Sequence, residues 1–146
     1  MLCAWLFVLG ATTALTIAGT VPAPAVPPSS VELQTEWDVY QRPAGTTDDP
    51  LGFHVKVTHR ETNAANTILT FHGDVNTLTN SGSFKNGQIQ GRLIRFTIKW
   101  SDGKTGVYQG SWFDDGRLRG STREEGTGLT AEWWSRYNNW RLTAAG

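Results

Sequence analysis

The sequence predicts an all-β fold: an eight-stranded antiparallel up-and-down meander barrel, with a β-sandwich as the alternative. Three observations lead there. Apolar and polar residues alternate with period two again and again from Gln34 onward, and no segment carries a helical period. Short turn signals separate these runs, so consecutive strands are neighbours in space. The apolar residues of each run share one face, and a single-faced sheet of this size loses its edges by closing on itself. A sandwich with Greek-key connections needs longer loops than most of these.

The first strand is placed near 35–41, where Trp37 and Val39 oppose Glu36, Asp38 and Tyr40. "PAGTTDDP" leads to a second near 51–59, with Phe53, Val55 and Val57 opposing His54, Lys56 and Thr58. "ETNAAN" and "GDVN" bound a third near 67–73, and a fourth follows near 77–85. Asn86-Gly87 is the preferred pair for a two-residue type I′ hairpin and introduces a fifth strand near 88–100. There Ile94, Phe96, Ile98 and Trp100 share a face. "SDG", "DDG" and "EGTG" then separate strands near 104–113, 117–123 and 129–137. In the last, Leu129, Ala131, Trp133 and Tyr137 form the inward set.

Two stretches look alike: "GSFKNGQIQGRLI" from Gly82 and "GSWFDDGRLRGST" from Gly110. No Gly-Lys-Ser/Thr and no following helix accompany them, so they are not phosphate loops. They read as hairpins. The Asn86-Gly87 turn pairs Phe84 with Ile89 and Gly82 with Gly91. A three-residue Asp114-Asp115-Gly116 loop pairs Trp112 with Leu118 and Gly110 with Gly120. The four glycines would then face inward and make room for a bulky ring or a ligand. One irregularity remains: Ile89, Gly91 and Leu93 share a parity that Ile94 and Phe96 do not, and a β-bulge near Arg92-Leu93 is expected to absorb it.

Ahead of the barrel, the first charged side chain is Glu32. The apolar run Leu2 to Ala18 and the Pro-rich stretch after it predict a signal peptide over 1–20, a linker over 21–33, the barrel over 34–140 and a tail over 141–146. The expected location is secreted or extracytoplasmic, with N-terminal membrane anchoring as the alternative. Cys3 is the single cysteine, so the mature chain would hold no thiol, disulfide or Cys-ligated metal.

Formal net charge is zero, from 13 basic and 13 acidic residues, which argues against nucleic-acid and membrane-surface binding. Pairing strands 2 and 3 about Asn63 would set His54 opposite His72 on the outer face, two ligands without an evident third. Asp48-Asp49, Asp114-Asp115 and Glu124-Glu125 lie in turns rather than a shaped cleft. No nucleophile elbow or zinc-protease motif occurs. No catalytic residue, cofactor or metal is implied, and the reading is non-enzymatic. Ten aromatic residues fall on the expected interior: Trp37, Phe53, Phe71, Phe84, Phe96, Trp100, Tyr108, Trp112, Trp133 and Tyr137.

The segments "IRFTIKW", "GVYQGSW" and "AEWWS" resemble the second half of the avidin/streptavidin barrel family over about 94–135, with Trp37 standing for the Trp of its first strand. The alternation is also similar to that of lipocalin-type barrels. The avidin resemblance implies a pocket walled by Trp100, Tyr108 and Trp133. The sequence departs from it at "WDVYQRPAG", where Val39 stands at the family's Asn and its Gly-Ser is missing. The leading expectation is an exported barrel binding a small apolar or aromatic molecule at an open end, through Trp37, Trp100, Tyr108, Trp112 and Trp133. The second is a filled barrel acting through its surface, with outward Trp134 and nearby Trp140 either making a homo-oligomer contact or packing under the C-terminal tail. A third, a barrel isomerase or cyclase, needs a polar residue deep inside, and Asn80 is the inward candidate.

Overall fold

Eight strands in one antiparallel meander close on themselves in the computed structural model, which describes residues 19–22 and 29–143. They are β1 (Glu36–Pro43), β2 (Leu51–Thr62), β3 (Leu69–Asn76), β4 (Ser81–Gln90), β5 (Leu93–Trp100), β6 (Thr105–Trp112), β7 (Leu118–Glu124) and β8 (Thr130–Ser135). The barrel is sealed where β1 meets β8, with Tyr40 opposite Trp134 and Val39 opposite Ser135. The signal-peptide and linker expectations over 1–18 and 23–28 lie outside the described residues.

Alternation decides what faces inward. Trp37, Val39, Phe53, Val55, Phe71, Val75, Phe84, Ile89, Ile94, Phe96, Ile98, Tyr108, Leu118 and Trp133 are all buried. Of the ten expected interior aromatics, Trp100 and Trp112 are only partly buried. Tyr137 is exposed, because β8 ends at Ser135 and the chain turns away before it.

The β6–β7 hairpin has the expected register: Trp112 faces Leu118 and Gly110 faces Gly120. Its loop closes by Gly116 N–H donating to the Phe113 carbonyl at 2.9 Å, with Gly116 at φ +81°. A side chain is disfavoured at that φ, so the loop needs glycine there.

The other copy is built differently. Asn86-Gly87 is not a turn, because β4 runs straight through it. Lys85 and Asn86 both point outward as a β-bulge between inward Phe84 and inward Gly87, shifting register against β3 and β5 alike. The Asn86 amide oxygen accepts the Thr97 N–H at 3.0 Å, so a side chain restores what the bulge takes from the ladder. Gly87 is required because a Cβ there would lie 2.6 Å from the Phe71 ring and carbonyl. The hairpin turn is Gly91-Arg92, with Gln90 opposite Leu93, Ile89 opposite Ile94 and Gly91 at φ +57°. The expected bulge near Arg92-Leu93 is therefore this turn. Gly91 faces open space, and Gly82 pairs with Trp100 instead.

Strands β2 and β3 also depart from the expected register. A bulge at Thr58 sets Val57 opposite Gly73, and His72 opposite His59 rather than His54. Asn80 lies in the turn before β4, bonded to Asp102 and Ser101, so it is not inside the barrel.

One end of the barrel is plugged. Val31 N–H donates to the Gly91 carbonyl at 2.8 Å, Glu32 N–H to the Arg141 carbonyl at 2.9 Å, and Val31 bridges Leu142. This strap buries Val31, Leu33 and Trp140 against Trp37. The folded unit thus reaches from Ser30 through Thr143. The opposite end, framed by Gln41, Trp100, Tyr108 and Thr122, has no such strap among the described residues.

Candidate functional site

Trp133 decides what the interior is. It sits mid-strand on β8, opposite Gly120 of β7, which in turn faces Gly110 of β6. With no side chain on either glycine, the indole lies flat across the wall. A Cβ on Gly110 would come within 2.4 Å of the ring. The indole N–H donates to the carbonyls of Gln109 at 3.2 Å and Ser121 at 3.0 Å, and the residue is 1 % exposed. The room made at Gly110 is occupied by the protein's own ring, whereas at Gly120 the nearest atoms are the backbone of Gln109 and Gly110.

From there aromatics continue around the interior. Trp133 meets Phe96 edge-on at 5.8 Å, and Phe96 stacks on Tyr108 at 4.9 Å with 3° between planes. Phe84 and Phe71 extend the chain to Trp37, and Trp37 contacts Trp140 at 5.1 Å. Such pairs add about 0.5–1.5 kcal/mol each beyond burial of their area.

The five residues expected to line one pocket are spread along the barrel axis. Trp100 and Tyr108 stand at the unplugged end around Phe53. Trp133 is in the middle. Trp37 lies beneath the strap at the plugged end. Trp112 is there too, donating its indole N–H to the Trp140 carbonyl at 3.3 Å beneath the Arg92 guanidinium. At the unplugged end the Tyr108 hydroxyl donates to Gln41 Oε1 at 2.8 Å. Burial pushes that phenol up to about 12, although the side chains of Thr122, Trp100 and Gln41 partly offset it. A neutral phenol there serves as a hydrogen-bond donor rather than a base.

Of the two expectations for Trp140, packing within its own chain holds: it is 1 % exposed and lies against Trp37. Trp134 is on the outer wall, half-buried between Tyr40 and Arg42. Beside it lies a groove of about 570 Å³ bounded by Arg42, Phe113, Arg117, Arg119, Glu132 and Trp134, with Gly120 and Trp133 at its floor. Strand parity builds it. Arg119 on β7 faces Trp134 on β8, Trp134 faces Tyr40 on β1, and Arg42 faces Glu132 one step along. Arg42 stacks over Trp134 at 5.4 Å and reaches Glu132 Oε2 at 3.4 Å. Arg119 stacks over Phe113 at 4.9 Å and pairs with Asp115. At Asp115 desolvation pushes upward, yet the Arg119 bond, the Arg117 N–H and both arginine charges hold its carboxyl below the usual range. Sequence reasoning missed this groove, because its residues come from separate strands and share only their outward parity.

Elsewhere, His59 and His72 stack at 4.6 Å on the outer face, and His54 Nδ1 lies 2.9 Å from Asp38. No group of three or more metal-ligating side chains occurs among the described residues. Comparison with family models, curated proteins and solved structures finds no match.

Proposed function

We propose that this chain is a non-enzymatic, exported binding module whose barrel interior is structural and whose outer wall makes the contacts. The observation that carries the reading is the Trp133 ring packed against Gly110, in space a central ligand would need. Its export rests on the apolar leader. Small-molecule sites are concave and largely pre-formed. A concavity of that size lies outside, between β1, β7, β8 and the β6–β7 loop.

Intrinsic tryptophan fluorescence, titrated with biotin, palmitate and haem, tests it. The expected result is no saturable change assignable to Trp133. A saturable change that disappears in Trp133→Phe would overturn the reading.

A second reading keeps a small apolar or aromatic ligand at the unplugged end. It is favoured by partly buried Trp100 beside the Tyr108–Gln41 hydrogen bond. In that case Trp100→Phe, and not Trp133→Phe, would abolish the fluorescence response.

A further inference from the structure

We propose that the outer groove between β7, β8 and β1 binds a small aromatic carboxylate, with Arg117 receiving the carboxylate. This rests on the reading that the outer wall is the working surface. The groove's charge is asymmetric: Arg42, Arg117 and Arg119 face a single carboxylate, Glu132. Glu132 is already engaged by Arg42 through both Nε and Nη2 at 3.4 Å. Arg119 is engaged by Asp115. Among the described residues, the Arg117 guanidinium has no ion-pair partner. Asp115 acts on Arg117 only at longer range, so this guanidinium is the groove's cation without a contact partner, which suits a monoanion. A dianionic phosphate would bring a second charge toward Glu132, whose partner is already in place.

The rest of the groove specifies the body of that ligand. Phe113 is 45 % exposed and lines the groove together with Trp134. Arg42 and Arg119 lie over these two rings, so their guanidinium planes are held before anything binds. Pre-ordering lowers the rotamer entropy lost on binding. A flat apolar ring between Phe113 and Trp134, with its carboxylate toward Arg117, uses every wall. About 570 Å³ is within the range of small-molecule sites, roughly 300–1,000 Å³.

The test is a titration of the full chain, labelled with 15N-tryptophan, using 3-phenylpropionate and its neutral amide, 3-phenylpropionamide, at constant ionic strength. The acid should shift the Trp134 indole signal saturably. The amide should bind about 10-fold or more weakly, since the ion pair is lost and only a guanidinium hydrogen bond to a neutral carbonyl remains. Arg117→Gln should weaken the acid by about the same factor and the amide by much less. Arg117→Lys should lose part of the affinity, because a point charge replaces the fork. Lys keeps the charge and much of the length, so it reports even if the Gln variant melts early. Equal binding of acid and amide, unchanged affinity in Arg117→Gln, or no movement of Trp134 would each overturn the proposal. The two readings fail separately. A saturable shift at Trp133 with biotin, palmitate or haem would sink the filled interior, whereas silence at Trp134 with 3-phenylpropionate sinks only the carboxylate site.

Discussion

Gly110→Ala is the sharpest perturbation of the interior, because its sign depends on what occupies the space above it. In an open strand position, replacing glycine by alanine is favourable by about 0.5–1 kcal/mol, since the unfolded chain loses freedom. Here the new methyl would lie 2.4 Å from Trp133 Cζ2 and 2.6 Å from the Arg119 carbonyl. The ring has little room to retreat, because its N–H is held by two carbonyls. Overpacking of this kind costs about 1–3 kcal/mol. At roughly 4–8 °C per kcal/mol for a small domain, the melting temperature should fall by roughly 5–20 °C. The assay is chemical denaturation of wild type, Gly110→Ala, Trp133→Phe and the double variant. The smaller ring should relieve part of the clash, giving a coupling of about 1 kcal/mol or more, in the range seen for contacting residues. Gly120→Ala is the control. Its Cβ would meet backbone, the Gln109 carbonyl at 1.9 Å, so Trp133→Phe should not rescue it. A neutral or stabilising Gly110→Ala, or zero coupling, would refute the idea that Trp133 fills the barrel.

The remaining predictions concern other parts of the same frame. The Tyr108 phenol is raised in the fold, so its stabilising contribution is fully present below pH 10 and is lost as pH rises toward 12. Two pH units correspond to about 3 kcal/mol as an upper bound, and Tyr108→Phe should flatten that alkaline limb of the stability-against-pH curve. Trp140→Ala should cost about 3–5 kcal/mol in urea denaturation, because it empties the plug between Trp37 and the strap. Asn86→Ala should speed exchange of the Thr97 amide by hydrogen-exchange NMR and cost about 1 kcal/mol, with no change in core packing.

Most of the fold was legible because parity is a strong signal. The apolar faces of β1, β5 and β6 are where alternation places them, and "DDG" makes the loop its composition demands. The errors cluster in β2 to β4, where bulges at Thr58 and at Lys85-Asn86 break the period. Asn-Gly is favourable in a two-residue turn, yet here the asparagine side chain caps a bulge and the glycine admits the Phe71 ring. Tertiary packing thereby overrode local turn preference. The parity break between Ile89 and Ile94 was already the mark of the Gly91-Arg92 turn. The glycine pair at 110 and 120 was legible, and so was the alternative of a tryptophan covering it. Which tryptophan, and from which strand, depends on barrel closure. The outer groove was not legible, since Arg42, Arg117 and Trp134 are far apart in sequence and meet only once β1 seals against β8.

The most direct measurement compares the indole signals of Trp133 and Trp134 in one 15N-tryptophan-labelled sample, assigned with Trp133→Phe and Trp134→Phe. A structural interior with a working outer wall predicts a Trp133 proton protected from exchange and unmoved by biotin, palmitate or haem, while 3-phenylpropionate moves Trp134. A Trp133 signal that exchanges rapidly, or that shifts saturably with biotin, palmitate or haem, would contradict it.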